Sequence, residues 1–184
     1  MKIERLSIPD VLLITPRVFR DDRGFFSEVW NDKALKAAGF EQGFVQDNHV
    51  LSVDKGVVRG LHFQLEPWAQ SKLVRCSKGA ILDVAVDIRR SSPTFGKHVS
   101  AVISQENWSQ ILVPAGFAHG YITLEPNTEV IYKVTNYYAP NHDRGIAWDD
   151  PALGIDWGIT GDAAILSGKD KMQPRLAEAA QLFD

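Results

Sequence analysis

Apolar and polar positions alternate over short segments along most of this chain, a pattern typical of β-strands. Turn-forming residues such as glycine, proline and asparagine separate the segments. The pattern predicts strands at Val11–Thr15, Phe44–Val50, Leu51–Val53, Gly56–Gln64, Ser71–Ser77, Ala80–Ile88, His98–Ser104, Ser109–Val113, His119–Leu124 and Thr128–Asn136. Short strands at this spacing, with no helical pattern between them, favour an all-β sandwich or barrel.

The two-residue period is clearest in the segment Ala80–Ile88, where the two faces of the strand differ. One face is entirely apolar and is expected to pack between two sheets; it consists of Leu82, Val84, Val86 and Ile88. The other face is small and acidic; it consists of Ile81, Asp83, Ala85 and Asp87. This second face suits either a solvated barrel lumen or the outer surface, and the pattern leaves both open.

Two segments have the pattern of helices instead. Asn31–Ala38 begins with a residue that caps helices well and is followed by Gly39, a frequent helix terminator. The tail from Pro174 to Leu182 is rich in alanine, leucine and glutamate, which favour helix. No repeat, low-complexity run or linker interrupts the chain, so residues 1–184 are expected to form a single domain.

The chain has 20 basic and 23 acidic residues, which gives a formal net charge of −3. A charge of this size creates no global field that would attract nucleic acid or a membrane, so an anionic ligand must be held by local arginine and lysine. Cys76 is the only cysteine, which excludes an internal disulfide. The first apolar stretch, Val11–Ile14, is too short for a signal peptide or a membrane span, so the protein is expected to be cytoplasmic.

The segment Gly56–Gln64 carries the first candidate for chemistry, His62, because a histidine in a polar cavity can act as a general base. On a regular strand His62 would share a face with Gly60, and Arg59 would lie on the other face among apolar side chains. Burying a charge there is costly. A bulge at Gly60 would turn Arg59 toward the side of His62.

Three further features have a structural and a functional interpretation. Lys72 either extends from a strand end into solvent, which its spacing favours, or is a buried cation that stabilises an oxyanion. Tyr132 is either a core residue or, if it reaches a cavity, a general acid. The segment Arg17–Glu28 is either a charged loop anchored by phenylalanine or a clamp for the phosphate and base of a nucleotide. The chain has no glycine-rich phosphate loop, CxxC pair or nucleophile elbow, which argues against nucleotide hydrolysis, structural zinc and acyl transfer.

Two segments resemble the half-motifs of the cupin barrels. Val113–Gly120 contains the Pro-x-Gly-x-x-His pattern of the second half-motif, and His62 falls in the first. Metal-binding cupins carry two histidines in the first half-motif, and Phe63 is taken to replace the second of them. Because too few imidazoles remain to hold a metal in the usual way, no metal is expected.

A longer resemblance covers nearly the whole chain in order, from about Val11 to Asp170. Its segments are Phe19–Glu28, Gln46–His49, Val57–His62, Ser71–Arg75, Pro114–Gly120, Tyr132–Val134, Arg144–Ile146, Asp149–Pro151 and Leu166–Asp170. In these segments the chain is similar to the dTDP-4-dehydrorhamnose 3,5-epimerases. The resemblance implies inversion of C3 and C5 of dTDP-4-keto-6-deoxyglucose through an enolate, to give dTDP-4-keto-L-rhamnose for dTDP-L-rhamnose biosynthesis.

The same resemblance implies a cupin jelly roll that acts as a homodimer without metal or cofactor. It implies His62 as the general base, oriented by Asp170, with Tyr132 as the general acid and Lys72 as the cation that stabilises the enolate oxygen. The implied nucleotide-sugar site comprises Arg23, Glu28, Gln46, Asn48, Arg59, His119, Asp143 and Lys169, with Phe19 and Tyr138 flanking the thymine, one of them from the partner subunit. Asp143 stands where the family more often has glutamate.

Three alternatives share parts of this pattern. An epimerase of one carbon, or an isomerase that moves the keto group, would share the scaffold and most of the site. A metal-dependent cupin needs a set of histidine and carboxylate ligands, and Phe63 argues against it. A non-catalytic cupin that binds nucleotide sugars would lack the base and the acid, whereas the chain has His62, Asp170, Lys72 and Tyr132 together.

Overall fold

The computed structural model describes all 184 residues, and β-strands dominate it. The strands are β1 Lys2–Arg5, β2 Leu12–Thr15, β3 Val18–Asp21, β4 Gly24–Ser27, β5 Gln46–Ser52, β6 Val58–Gln64, β7 Lys72–Lys78, β8 Ala80–Asp87, β9 His98–Ser104, β10 Gln110–Val113, β11 Phe117–Thr123, β12 Thr128–Val134 and β13 Asp143–Gly145. The α-helix, α1, spans Asp32–Ala37, and short 3-10 turns lie at Pro140–His142, Gly161–Ala163, Asp170–Met172 and Leu176–Glu178. None of these helices is long and apolar enough to cross a membrane.

Two antiparallel sheets pack face to face and form the jelly roll expected from the sequence. The six-stranded sheet has the order β1-β2-β10-β7-β12-β5, and the five-stranded sheet has the order β13-β6-β11-β8-β9. The hairpin β3–β4 forms a small sheet of its own. The all-β fold class is therefore confirmed, and most predicted strands differ from the observed ones only at their ends.

The face of β8 that lies between the two sheets is the opposite of the one predicted. Ile81 and Ala85 belong to the cluster that the two sheets share, together with Val74 of β7. The apolar face of β8 instead packs outward, where Val84 and its neighbours meet Trp148 and other residues of the C-terminal segment. Because that segment covers the sheet from outside, both faces of β8 are buried and hydrophobicity no longer distinguishes them. Consequently Asp83, on the inner face, is fully buried.

The first predicted helix is present. The side chain of Asn31 caps α1 by accepting a hydrogen bond from the Ala34 N–H at 3.1 Å, and Gly39, at φ +94°, follows its end. Leu35 is the buried residue of this helix and packs on the outer face of the six-stranded sheet. The helix therefore covers the side of that sheet that faces away from the barrel interior.

The predicted helix Pro174–Leu182 is wrong, because the tail contains only the 3-10 turn at Leu176–Glu178. The backbone of Phe183 forms a bridge with Arg89, and the Arg90 N–H donates to the Phe183 carbonyl at 2.9 Å. These contacts hold the end of the chain extended along the barrel, which overrides the local preference for helix. The loop alternative for Arg17–Glu28 is also corrected, since that segment contains the hairpin β3–β4.

Candidate active site

An irregularity in β6 brings Arg59 and His62 to the same face of the five-stranded sheet. In the pairing with β11, His119 lies opposite His62 and Tyr121 lies opposite Arg59, so β6 has two residues where β11 has only Gly120. Directly opposed residues share a face, as do residues two apart on one strand. All four side chains therefore point to the inner side of the sheet, although Arg59 remains exposed to solvent. The predicted bulge is confirmed.

Glycine is required at the centre of this bulge. Gly60 has a φ of +122°, and a Cβ built on it would lie 2.6 Å from the Cα of Gly120 and 2.6 Å from the His119 carbonyl oxygen. A side chain would therefore collide with the backbone of β11. The close approach of β6 and β11 sets the relative position of His62 and His119.

The comparison of Phe63 with the second histidine of metal-binding cupins needs correction. The side chain of Phe63 packs in the cluster on the outer face of the five-stranded sheet, although the residue also borders the cavity. Gln64, two residues after His62, lies on the cavity side. Its amide is occupied by the backbone, because Nε2 donates to the Trp68 and Tyr137 carbonyls at 2.6 and 3.1 Å. Gln64 therefore stabilises the two loops that contain Trp68 and Tyr137, at the edge of the cavity.

A cavity of about 180 Å³ opens between the two sheets, beside His62. It brings together most of the predicted site residues and adds three others. The lining consists of Gln46, Asn48, His62, Phe63, Gln64, Gln70, Lys72, Tyr132, Tyr138, Asp143 and Lys169. His62 enters from the five-stranded sheet, whereas Lys72 and Tyr132 enter from the six-stranded sheet, so a molecule in the cavity would have the imidazole and the phenol on opposite sides.

His62 is held by a buried carboxylate. Its Nε2 lies 2.5 Å from Oδ1 of Asp170, whose side chain is only 4% exposed. Ser167 donates from its hydroxyl to Asp170 Oδ2 at 2.8 Å and accepts from the Asp170 N–H at 3.1 Å. Burial acts to raise the pKa of Asp170, but the hydrogen bonds from His62 and Ser167 outweigh it and lower that pKa. An ionised Asp170 can only accept, so Nε2 carries the proton and Nδ1 is the nitrogen free to act as a base.

Lys72 is half-buried in the cavity wall and remains poorly hydrated. Burial lowers the pKa of its ammonium group to about 8, while attraction to Asp143 and Asp83 limits the fall. The solvent-exposed strand-end interpretation of Lys72 is therefore wrong. A poorly hydrated ammonium group is a strong electrostatic partner for a developing oxyanion.

Tyr132 lies on β12, opposite Asn48 of β5 and Val74 of β7, and borders the inner core. Burial raises the pKa of its phenol, and the nearby Arg59 partly opposes this shift. The phenol therefore keeps its proton at neutral pH. The side chain is at once a core residue and a cavity residue, so the two interpretations of Tyr132 are not exclusive.

The rim of the cavity is a connected polar group. Asp143 accepts hydrogen bonds from the ammonium of Lys169 and, at 3.2 Å, from the hydroxyl of Tyr138. On the other side, Gln46 Nε2 donates to Asn48 Oδ1 at 2.8 Å. Asp143 therefore links Lys169 and Tyr138 at the rim of the cavity. Tyr138 is 60% exposed and offers its ring at the mouth of the cavity.

His119 is buried and Arg59 is exposed on the same side of the five-stranded sheet, and neither is part of the cavity lining. Arg59 Nε donates to the Ser52 hydroxyl at 3.2 Å, and its NH2 group donates to the Leu51 carbonyl at 3.3 Å. His119 Nε2 lies 2.9 and 2.8 Å from the two carboxylate oxygens of Asp83. The strand pattern left two positions open for Asp83, the barrel lumen and the outer surface. The structure places it in the barrel interior.

Three predicted residues lie apart from the cavity of their own chain. Phe19 and Arg23 belong to the hairpin β3–β4, where Phe19 is 48% exposed and the Arg23 side chain is 88% exposed. Glu28 follows the hairpin and accepts from Asn31 Nδ2 at 3.1 Å. A larger cavity of about 580 Å³ lies beside this hairpin, but its lining contains none of the predicted site residues.

Besides the three additional lining residues, sequence reasoning gave no role to two residues that lie behind the cavity. Ser167 lies within the matched segment Leu166–Asp170, and its three-residue spacing from Asp170 is the signal that could have identified it. Tyr121 lies two residues after His119, and its hydroxyl is buried without a hydrogen-bond partner. Alternation from His119 along β11 would have placed Tyr121 on the same inner face.

No group of three or more histidine, cysteine, aspartate or glutamate side chains is arranged to hold a metal ion. The chemistry available around the cavity is instead that of protons and charges: a carboxylate-held imidazole, a phenol and an ammonium group. Fold and site together define a cupin-type jelly roll equipped for acid–base chemistry on a polar molecule.

Comparison with known proteins gives the particular family. The sequence model of the dTDP-4-dehydrorhamnose 3,5-epimerases matches residues 5–178, and the chain belongs to this family. It is 56% identical over 183 residues to the dTDP-4-dehydrorhamnose 3,5-epimerase of Sinorhizobium fredii, covering 100% of this chain and 93% of that protein. It is 52% identical over 180 residues to the enzyme of the same name from Pseudomonas aeruginosa, covering 97% and 98%.

Solved structures agree with this assignment. The 3,5-epimerase of Bacillus anthracis with TDP and pyrophosphate bound has a TM-score of 0.91 at 48% identity, covering 95% of this chain and 98% of that one. The Legionella pneumophila 3,5-epimerase in complex with dTDP-4-keto-L-rhamnose has a TM-score of 0.92 at 42% identity, covering 96% and 93%. A 3'-monoepimerase from Streptomyces bikiniensis in complex with dTDP-quinovose has a TM-score of 0.86 at 31% identity, covering 94% and 87%.

Proposed function

We propose that this protein inverts C3 and C5 of dTDP-4-keto-6-deoxyglucose and so forms dTDP-4-keto-L-rhamnose, a step of dTDP-L-rhamnose biosynthesis. The observation that carries the proposal is the His62–Asp170 pair facing a cavity whose opposite wall holds Tyr132 and Lys72. The high identity to 3,5-epimerases over the full chain supports the same reaction. Residues 1–184 act as one domain in this proposal, because both sheets and the C-terminal segment build the site.

The reaction follows from the acidity of the substrate. The hydrogens on C3 and C5 are both α to the C4 ketone, so a base can remove either of them. We assign this step to Nδ1 of His62, with Asp170 holding the ring and stabilising the imidazolium. Lys72 stabilises the enolate oxygen. Tyr132 then donates a proton to the carbon from the opposite side, which inverts it.

The remaining predicted residues are assigned to substrate binding. Gln46, Asn48, Tyr138, Asp143 and Lys169 line the cavity or its rim. The buried His119 and the exposed Arg59 lie on the same side of the sheet as His62 and provide polar groups for the sugar and the diphosphate.

An epimerase that inverts only one carbon is the second candidate. The Streptomyces bikiniensis 3'-monoepimerase shares the fold over 94% of this chain. Incubation of the protein with dTDP-4-keto-6-deoxyglucose in D₂O separates the two functions, because each inversion places one deuterium on the carbon concerned. NMR should show deuterium and inverted configuration at both C3 and C5. Reaction at one carbon alone would replace the first proposal with the second, and reaction at neither would reject both.

We also propose that the protein works as a homodimer in which the β3–β4 hairpin completes the partner's site. Phe19, Phe25 and Phe26 of this hairpin are 48%, 61% and 68% exposed, and an isolated two-stranded sheet is only marginally stable in water. Strand β5 is the edge of the six-stranded sheet and bears exposed Leu51. Such an edge beside a binding cavity is a natural docking place for another chain.

Mixing two inactive variants is expected to restore activity. His62→Ala removes the proposed base, and the double change Phe19→Ala with Arg23→Ala removes the proposed contribution of the hairpin. In a mixed dimer one site has an intact His62 and receives an intact hairpin. Random pairing of equal amounts should therefore restore about a quarter of the wild-type rate. Co-expressed variants that remain inactive although mixed dimers form would place the hairpin in the site of its own chain. A hairpin variant that is active by itself would place the hairpin outside the site.

The proposed chemistry uses Lys72 as the electrophile and needs no metal ion. Treatment with a strong chelator, with metal removal checked by elemental analysis, is therefore expected to leave the epimerisation rate unchanged. Loss of activity that zinc, manganese or iron restores would overturn this part of the mechanism and favour a metal-dependent cupin.

A further inference from the structure

A second carboxylate–imidazole pair lies in the barrel, separate from the His62–Asp170 pair. Asp83 has no exposed side-chain surface, and the His119 side chain bonded to it is 8% exposed. A buried carboxylate is costly unless positive charge and hydrogen bonds compensate it. Burial raises the pKa of Asp83, and the contacts with His119 and the charge of Lys72 oppose this rise. One nitrogen of His119 contacts both carboxylate oxygens, which leaves much of their capacity for another positive group.

The positive group that shares this space is Lys72. Asp83 projects inward from β8 on the same face as Ile81 and Ala85, which belong to the core between the sheets. Lys72 projects into the same core from β7, on the same face as Val74. The two side chains therefore approach each other from opposite sheets, and Lys72 is long enough to extend across much of the roughly 10 Å between the sheets.

We infer that Asp83, held in place by His119, is a positioning residue of the active site that supplies the buried negative charge keeping Lys72 protonated. This inference rests on the proposed function, in which the protonated Lys72 stabilises the enolate. Asp83 need not touch the substrate to do this.

The charged and titratable groups around Lys72 determine what the loss of Asp83 would do. They come from β6, β8, β12, β13 and the C-terminal segment and are His62, Asp83, Tyr132, Asp143 and Lys169. Burial lowers the pKa of Lys72 to about 8, the two aspartates raise it, and Lys169 lowers it. The ammonium form therefore prevails below about pH 8 and is lost as the pH rises. Removing the charge of Asp83 moves this loss to a lower pH.

The test is an NMR titration of the Lys72 side-chain nitrogen in substrate-free protein labelled with ¹⁵N-lysine, assigned with the Lys72→Arg variant. In Asp83→Asn the pKa of Lys72 should fall by about one unit. The alkaline limb of kcat/KM should shift by the same amount, so that the variant is impaired at pH 8 but recovers most of its activity at pH 6. General damage to the fold would not be repaired by lowering the pH.

Asp87→Asn is the matched control. Asp87 is also fully buried on the inner side of β8, but its carboxylate is bound by Arg89, Ser92 and Thr94. Those hydrogen bonds outweigh burial and lower the pKa of Asp87 to about 2, so its replacement should cost stability. It should nevertheless leave the titration of Lys72 where it is in the wild type.

An unchanged pKa of Lys72 in Asp83→Asn would overturn the inference. If that variant does not fold, Lys72→Gln tests the same interaction from the other side, because the coupling between two charges is mutual. Loss of the ammonium group should raise the pKa of Asp83, measured from its ¹³C carboxyl signal, and no rise would overturn the inference. Neither titration uses a substrate, so a wild-type protein without epimerase activity would contradict the proposed function while the titrations still decide the role of Asp83.

Discussion

His62→Ala is expected to slow deuterium uptake from D₂O at both C3 and C5 by about three orders of magnitude, the upper range of what a general base contributes. Both hydrogens are α to one ketone, and His62 is the histidine that combines a cavity position with a carboxylate partner, Asp170. His119 is not expected to substitute, because it is not part of the cavity lining. NMR of the two carbons during incubation measures both rates in one experiment.

The matched control for this change is His98→Ala, which alters a histidine of β9 at the far edge of the five-stranded sheet. That variant should exchange both hydrogens at the wild-type rate. If His62→Ala retained rapid exchange at one carbon and lost it at the other, two different bases would serve the two carbons. The single-base mechanism would then be wrong.

Much of the fold was predictable because short alternating segments separated by turn residues leave few architectures open. The face of β8 was not, because alternation shows only that a strand has two different faces. Val84 packs outward against Trp148 from a segment more than sixty residues away along the chain, and no local pattern encodes that contact. The helix predicted for the tail is absent because of another long-range contact: the backbone of Phe183 pairs with Arg89 and is held extended.

The candidate site shows the same division between local and long-range information. The bulge was predictable, because an arginine in an otherwise buried strand next to Gly60 requires a local change of face. The His62–Asp170 pair joins residues 108 positions apart, and only the family resemblance suggested it from the sequence. The burial of Lys72 depends on how closely the two sheets approach each other, and the spacing of residues along one strand does not encode that distance. The spacing alone therefore favoured a solvent-exposed position for Lys72.

Tyr132→Phe is expected to separate proton removal from inversion. The change deletes the proposed acid but leaves His62 and Lys72 able to form the enolate from the other side of the cavity. The imidazolium exchanges with solvent and can return a deuteron to the face from which the proton came. Inversion should therefore fall by about a hundredfold or more, in the range of general acid catalysis, while deuterium enters with retained configuration.

The ratio of deuterium uptake to inversion at each carbon, followed by NMR, is the decisive quantity. Tyr137→Phe is the control, since it removes a hydroxyl from a neighbouring tyrosine that is 58% exposed and is not part of the cavity lining. That variant should keep the wild-type ratio. If uptake and inversion instead fell in parallel in Tyr132→Phe, the phenol would be needed to form the enolate rather than to protonate it. Burial holds the pKa of Tyr132 above its ordinary value, so the phenol is protonated at neutral pH. The Tyr132→Phe variant removes the transfer of this proton from the phenol to the substrate carbon.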